Sequence, residues 1–334
     1  MGRIRYAGMA EEYSFNPGTP PDAIFHIDIG SATLDVPTDP NLHFEGGLYR
    51  GRKIIRPGFY APTGNIMYPV DIRSIAYILK WALGKYVFTD GGEGANTHEI
   101  YGVEDLVLPS FTTRLGKDNF EHIFTGCTIN SLEIKIEGEY VFITADIVAA
   151  RDYKGAVKAI ADLLLFDEYP LSFIDSTITL GETNYSCKFK GITISITNNP
   201  DVAAGKGFGS RHPCRMPIGA RDINISGNLY FEDSSEYEKF WGASGGISGN
   251  LSTNEELVIT IDSGAYGSME IKIPKFIFTD LKTPPSGRTE IIQAFAGIAL
   301  MKTITLDDGV TEIDTDLIAT INNNNDDLDE DIIS

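Results

Sequence analysis

One glycine-rich segment of the chain has the composition of a phosphate-binding loop. Residues 205–210 read GKGFGS, so Lys206 stands between glycines whose amides could surround an anion. The segment lacks the GxxxxGK(S/T) spacing of such loops, and it continues into Arg211-His212-Pro213 rather than into a helix. We therefore interpret it as the tip of a flexible loop.

Histidine, cysteine and carboxylate side chains could also hold a metal ion, but their spacing does not favour a site. His212 and Cys214 lie close in sequence without a second pair nearby, and the other histidines are scattered. Residues 326–331 (DDLDED) lack the central glycine and the terminal glutamate of an EF-hand loop. We expect this segment to be a solvated acidic tail.

The signatures of catalysis are missing from the sequence as well. The chain contains no Ser/His/Asp ordering and no dinucleotide fingerprint. Paired carboxylates such as Glu133 and Glu137 fit the exposed face of a strand. We expect no enzymatic activity, no cofactor and no metal.

Composition narrows the class of protein. The 334 residues carry a net charge of −20, and residues 307–334 contain ten acids and no Lys or Arg. Phosphate binding needs clustered basic residues, so this balance argues against a high-affinity nucleic-acid binder. No apolar run approaches the roughly 20 residues that cross a bilayer, and the N-terminus lacks the apolar region of a secretory signal. Three cysteines without C-x-x-C spacing indicate a reducing cytoplasm.

Two stretches of the chain share one pattern. Residues 64–71 (GNIMYPVD) and 227–233 (GNLYFED) each join Gly-Asn to an apolar strand that ends at an Asp. A helical pattern follows each stretch and closes on Trp81 or Trp241, the only two tryptophans of the chain. The second helix is shorter by three residues, about one turn. We interpret the chain as a β domain duplicated in tandem over most of residues 22–302.

These patterns predict a mainly β fold of two tandem β-sandwich or barrel-like domains, each with one α-helix and a long loop. Helical spacing over 72–83 stops at Gly84, and Gly138-Glu139 predicts a hairpin turn between strands 131–137 and 140–148. The apolar run 153–166 predicts a further helix. The expected division is an N-terminal arm (1–21), a first domain (22–152), a helical linker (153–169), a second domain (170–305) and an acidic C-terminal extension (306–334).

A long loop precedes each Gly-Asn strand. Residues 37–60 and 198–217 match in place, in length and in their basic, glycine-rich character. Loops of this length are seldom passive connections.

Several strings in these positions resemble tail tube proteins of tailed phages and archaeal tailed viruses. The strings are 57–64 (PGFYAPTG), 69–74 (PVDIRS), 108–112 (LPSFT), 124–132 (FTGCTINSL), 145–148 (ADIV) and 196–199 (ITNN). The resemblance covers about 22–302 and leaves the acidic C-terminal stretch outside. It implies two tail-tube-like β domains in a chain that has no active site.

The resemblance also implies self-assembly. Single-domain members form hexameric rings, so a duplicated member is expected to close a trimer with pseudo-sixfold symmetry. The two basic loops would be stacking or inter-subunit arms that meet acids on the next ring, and the acidic tail is one candidate source of those acids. The candidate contact residues are Arg50, Arg52, Lys53, Arg56, Lys206, Arg211 and Arg215.

The function implied is a structural virion protein, made in the host cytoplasm, whose stacked rings form the tail tube for genome delivery. Expected partners are the chain itself, tape measure, terminator and distal tail proteins, and viral DNA that passes through without specific binding; no membrane is expected. An acidic inner wall would repel phosphate. Alternatives are another ring component of a tail or injection machine (contractile-system tube, tail terminator or distal ring) or a carbohydrate-binding β-sandwich module.

Overall fold

The structure is a computed structural model of the chain. It describes residues 5–37, 39, 41–44, 54–92, 96–102, 107–166, 169–244, 255–283, 291–306 and 309–329.

Strands make up most of the described residues. The first twelve are β1 (Arg5–Glu11), β2 (Phe25–Ile27), β3 (Ser31–Ala32), β4 (Asn41–Phe44), β5 (Ile54–Pro57), β6 (Thr63–Pro69), β7 (Gly84–Thr89), β8 (Asn96–Gly102), β9 (Phe111–Lys117), β10 (Phe120–Ile136), β11 (Val141–Val148) and β12 (Arg151–Gly155). The remaining ten are β13 (Ser176–Leu180), β14 (Thr183–Asn184), β15 (Phe189–Thr197), β16 (Asp222–Tyr230), β17 (Glu255–Asp262), β18 (Ser268–Lys282), β19 (Ile292–Ala299), β20 (Lys302–Thr305), β21 (Glu312–Thr315) and β22 (Ile318–Asn323). The two α-helices are α1 (Ser74–Leu83) and α2 (Ser235–Trp241). The prediction of a mainly β fold is confirmed.

One antiparallel sheet of eight strands runs through the molecule. Its order is β3–β6–β11–β10–β15–β16–β19–β18, and every neighbouring pair is antiparallel. We call it the central sheet. Period-two alternation, as in the ITISIT run of β15, gives each strand one apolar face, and these faces point to the same side.

Two smaller sheets continue from the central one through its two longest strands. The N-terminal half of β10 belongs to the order β2–β1–β9–β10–β12. The N-terminal half of β18 belongs to the order β14–β13–β17–β18–β22–β8–β7. The path β1, β2, β3, β6, α1, β9, β10, β11 therefore has the same order and pairing as β13, β14, β15, β16, α2, β17, β18, β19. Duplication of a domain stays a prediction that is compatible with this order.

Each helix follows the Gly-Asn strand, as predicted. The Asp71 carboxylate caps α1 by accepting hydrogen bonds from the amides of Arg73 and Ser74, at 2.9 and 2.8 Å. Gly84 ends the helix in the left-handed conformation (φ 97°), where a side chain would be strained. The predicted hairpin turn is also present, with Gly138 at φ 83° between β10 and β11. Local capping and turn signals thus fixed these boundaries.

The core forms between the apolar face of the central sheet, the smaller sheets and α1. Trp81 is fully buried and stacks on Phe111, with ring centroids 4.4 Å apart. One large cluster of buried apolar side chains includes residues from both halves of the chain, among them Phe124, Ile194 and Ile271. The two halves therefore share a core.

Two expectations about connecting segments are wrong. The N-terminal arm contains β1, whose Met9 is fully buried because β2 and β9 pair with it on both sides. The segment 153–166 is not an α-helix: it contains the end of β12 and one 3-10 turn (Ile160–Asp162). The end of this segment runs beside β2, and the amide of His26 donates to Leu164 O at 2.8 Å. Backbone pairing with β2 therefore overrides the helical pattern of the sequence.

The acidic C-terminal extension is also more structured than expected. β22 lies between β8 and β18, so it joins the two halves of the chain through backbone pairing. Leu328 is fully buried, and Asp316 accepts two hydrogen bonds from Arg221, at 3.0 and 2.9 Å. The extension is therefore part of the fold up to Leu328, which corrects the expectation of a solvated tail for that part, although Asp326 and Asp329 are exposed.

Candidate functional site

The features of the described residues that could carry a function are the edges and faces of the central sheet and a projecting unit beside it. Within the described ranges, β3 pairs only with β6, and β18 from Ile277 onward pairs only with β19. The central sheet therefore has two open edges. Unpaired edge strands are templates for pairing with another chain.

The middle of the central sheet contains a joint between the two halves of the chain. β10 pairs with β15 in six consecutive positions, from Ser131–Thr197 to Ile136–Ile192. Inward side chains such as Ile134 and Ile194 are fully buried on either side of the joint. The two halves of the chain are therefore joined in two ways, by backbone pairing between one edge strand of each half and by a continuous core on the inward face.

The outward face of the central sheet is mostly small and polar on its middle strands β10, β15 and β16. Its half-buried or exposed side chains include Thr144, Ser131, Thr193, Ser195, Thr197, Asn224 and Ser226. On β10, β11, β15 and β16 this face carries three carboxylates (Glu133, Asp146, Asp222) and two ammonium groups (Lys135, Lys190). The Lys135 ammonium lies 2.9 Å from Glu137, so part of the positive charge is already compensated.

Residues 57–60 and 198–217 pack together into one projecting unit, which we call the arm. The Arg211 guanidinium donates to Gly58 O at 2.9 Å, and the amide of Tyr60 donates to Arg211 O at 2.9 Å. Lys206 lies over the ring of Phe59, 4.9 Å from its centroid. The arm is therefore ordered by contacts within the chain.

A chain of polar contacts connects the base of the arm to the sheet. The Tyr60 hydroxyl donates to Asp152 at 2.7 Å, and the other carboxylate oxygen of Asp152 lies 3.1 Å from His122 Nε2. Lys117 donates to His122 Nδ1 at 3.0 Å, so Nε2 carries the hydrogen that Asp152 accepts. Burial, then the bond to Asp152, raises the pKa of Tyr60 to about 12. The bond from His122 lowers the pKa of Asp152.

Four of the seven predicted contact residues lie on the arm or on the neighbouring hairpin β4–β5. Lys206, Arg211 and Arg215 are exposed on the arm, and Arg56 is exposed on β5. Arg50, Arg52 and Lys53 lie outside the described residues. Their role in contacts between subunits stays a prediction.

The residues considered for phosphate or metal binding take other roles here. Gly205 belongs to a tight turn of the arm, and its carbonyl accepts the amide of Cys214 at 2.8 Å. The ring of His212 packs edge-on against Tyr60 rather than beside another metal-ligating group. Among the described residues, no group of three metal-ligating side chains occurs. The three cysteines are free, with Cys127 buried and the other two exposed.

Two further features gave no signal in the sequence. Lys80 of α1 is 3% exposed, and its ammonium contacts Glu11 and Asp329, at 2.9 and 2.6 Å. A cavity of about 170 Å³ opens where the β10–β11 turn meets the start of β15. Its lining comes from three separate segments of the chain, and such convergence has no local sequence pattern.

Comparison with known proteins gives one match. The model of a family described as phage tail tube protein matches residues 8–314, which run from β1 to β21. No curated protein matches the chain significantly. In the described part of the chain, no helix is long and apolar enough to cross a membrane.

Proposed function

The chain belongs to the phage tail tube protein family, and from this premise we propose that it closes into rings that stack as the tube of a virion tail. The family makes it a structural component of the tail and favours a role without catalysis.

The observation that carries ring closure is the joint between β10 and β15. One half of the chain already accepts the other by edge pairing over six positions. The two open edges, at β3 and at the end of β18, lie on opposite sides of the central sheet. Pairing of one edge with the opposite edge of the next copy would repeat this joint between chains and remove both edges.

Three copies per ring would follow from the order of the strands. Seven strands and a helix recur with the same pairing, so one chain offers two equivalent building blocks. Six blocks from three chains would form a ring with pseudo-sixfold symmetry. The central sheets would then make a continuous wall of twenty-four strands, eight from each chain.

The outward face of the central sheet fits a conduit for DNA. Its hydroxyl and amide groups are uncharged, and on β10, β11, β15 and β16 three carboxylates face two ammonium groups. This face would therefore repel phosphate only weakly. DNA would pass mainly because few basic groups on this face could bind it. The packed face, which carries the helices, would lie outside.

The partners that we propose are further copies of the chain and the proteins at the two ends of the tube and inside it, namely terminator, distal tail and tape measure proteins. The basic residues of the two long loops would serve contacts between subunits; they are Arg50, Arg52, Lys53, Arg56, Lys206, Arg211 and Arg215. Genome delivery through the tube and synthesis in the host cytoplasm belong to the same proposal.

Electron microscopy of the purified protein, combined with sedimentation, tests this function. The wild type should form tubes built from trimeric rings. Ala32→Pro should prevent ring closure while the chain stays folded. The amides of Thr33 and Asp35 donate to β6, and because successive amides of a strand point to opposite sides, the amide of residue 32 points to the open edge. Proline removes only that amide. Ala32→Ser keeps the amide and should assemble. A wild type that stays monomeric at high concentration, or closes only single rings, would contradict the proposal.

A further inference from the structure

Five exposed large apolar side chains lie at the two ends of the central sheet. At the end where β15 runs into the arm, Phe208, Leu42 and Ile55 are exposed. At the opposite end, where residues 137–140 join β10 to β11, Tyr140 and Ile174 are exposed. We call these the arm end and the turn end. The face between them is mostly polar, and its exposed apolar side chains include Met67 on β6.

Phe208 is the most exposed aromatic residue of the described chain. It stands between two glycines at the tip of the arm, and its relative exposure is 111%. The arm around it is well packed, since Met216 is 3% exposed and Gly205 is buried. A single exposed ring on a protein surface is ordinary. Phe208 becomes informative because a cavity of matching size lies at the turn end.

The cavity at the turn end has the size and lining of a site for one phenyl ring. Its volume is about 170 Å³, and it is lined by Ile136, Phe173, Ile174, Ile178, Phe189 and Ile192, with Ser176, Ser186, Cys187 and Gly191 at its polar side. A cavity of roughly 150 Å³ with Leu, Ile and Phe walls accepts benzene. The ring of a phenylalanine side chain therefore fits it.

The charges around the two surfaces are complementary. The arm exposes Lys206 and Arg215 beside the aromatic tip. Next to the segments that line the cavity, Glu137, Glu139 and Asp175 are exposed, and so is Lys190. The half-buried Lys188 is paired with Glu232 at 2.9 Å. Opposite charges at the edge of an apolar contact increase the association rate and fix the relative orientation of two molecules.

The ring and the cavity cannot meet within one chain. β15 alone, which separates the arm end from the turn end, has nine residues, a length of about 30 Å. The partner must be a second copy, placed end to end with the first. Such a contact is heterologous, so it repeats in one direction without closing.

We propose that Phe208 of one copy enters the cavity of a copy in the next ring, and that this contact holds stacked rings together. The proposal rests on the proposed tube, because it supplies the axial contact that ring closure does not. Edge pairing acts around the ring, whereas the arm acts along the tube.

Cross-linking tests the placement of the tip. Cys187 lines the cavity and is exposed, whereas Cys127 is buried. Phe208→Cys would place a thiol at the tip, and Cys214→Ser removes the thiol next to it in the arm. Under mild oxidation, the double variant Phe208→Cys/Cys214→Ser should give covalent multimers on a non-reducing gel. The matched control, which adds Cys187→Ser, should give none.

A second variant measures the contribution of the ring. Phe208→Ala should raise the concentration needed for tubes by about 10- to 100-fold, because burial of a phenylalanine side chain changes an association constant by that factor. Single rings should still form, since the sheet edges are unchanged. Tubes that assemble normally from Phe208→Ala, or cross-links that persist without Cys187, would overturn the inference and leave the tube intact. A wild type that forms neither rings nor tubes would overturn the proposed function itself.

Discussion

Replacement of Lys80 by methionine should destabilise the fold more than its position on one helix suggests. The Lys80 ammonium is buried beside the carboxylate of Glu11, which is 7% exposed and also accepts a 2.8 Å hydrogen bond from Trp81 Nε1. Methionine keeps most of the aliphatic volume but leaves Glu11 as an uncompensated buried charge. Loss of one partner of a buried ion pair costs about 3–5 kcal/mol. The free energy of unfolding, measured in urea by circular dichroism, should fall by that amount.

Two control variants separate this effect from general damage. Asp329→Asn removes the other carboxylate that contacts Lys80, but its side chain is 61% exposed, so the loss should be about 0–1 kcal/mol. Lys80→Met combined with Glu11→Gln should recover most of the loss, because no buried charge then remains. If Lys80→Met lowers the free energy of unfolding no more than Asp329→Asn does, the ion pair does not stabilise the contact between α1 and β1.

The pH dependence of the same variant gives an independent test. Burial raises the pKa of Glu11, and Lys80 and Trp81 act in the opposite direction. Without Lys80 the pKa of Glu11 should rise further, so the folded variant binds this proton more tightly than the unfolded chain does. Its free energy of unfolding should therefore increase as the pH falls from 7 toward the ordinary glutamate value of about 4.3, and decrease as the pH rises through the folded-state pKa. A loss that is constant over this range would refute the reasoning.

Three further perturbations test other parts of the structure. Gly64→Ala should lower the melting temperature by several degrees, because the glycine has φ 154° and a methyl group would lie 2.5 Å from Leu34 Cα; a melting curve that matches the wild type would contradict this contact. Arg221→Met should cost about 3–5 kcal/mol in urea unfolding, since it leaves the Asp316 carboxylate buried without its partner; the matched variant with Asp316→Asn should regain most of it. Thr320→Pro should expose the amides of β8 and β18 to hydrogen exchange, because β22 pairs with both strands; unchanged protection there would show that β22 does not hold the two halves together.

The parts of the fold that could be predicted from the sequence are those with local signals. The Gly84 stop, the Asp71 cap and the turn at Gly138 each depend on a few adjacent residues, and all three are present. The alternation of apolar and polar residues also gave most of the long strands, because one face of each is buried against a common core. These signals do not depend on what the strand pairs with.

The remaining parts depend on contacts between distant segments. Residues 318–323 form a strand because β8 and β18, about 220 and 50 residues earlier in the chain, present matching edges. The acidic composition around them suggested a solvated tail, but Asp316 and Asp329 meet Arg221 and Lys80. The basic residues of the arm were placed on an exposed loop from composition alone. The cavity at the turn end could not be anticipated, because Phe173 and Phe189 meet only after the sheet has formed.

The position of β22 also orders events during synthesis. It is made after every other described strand, so β8 and β18 leave the ribosome with the edges that it later covers still unpaired. Until residues 318–323 arrive, the two halves lack the strand that pairs with both. Unpaired strand edges of this kind are sites at which nascent chains aggregate. A chaperone that covers these edges while translation is under way would therefore raise the yield of assembly-competent subunits.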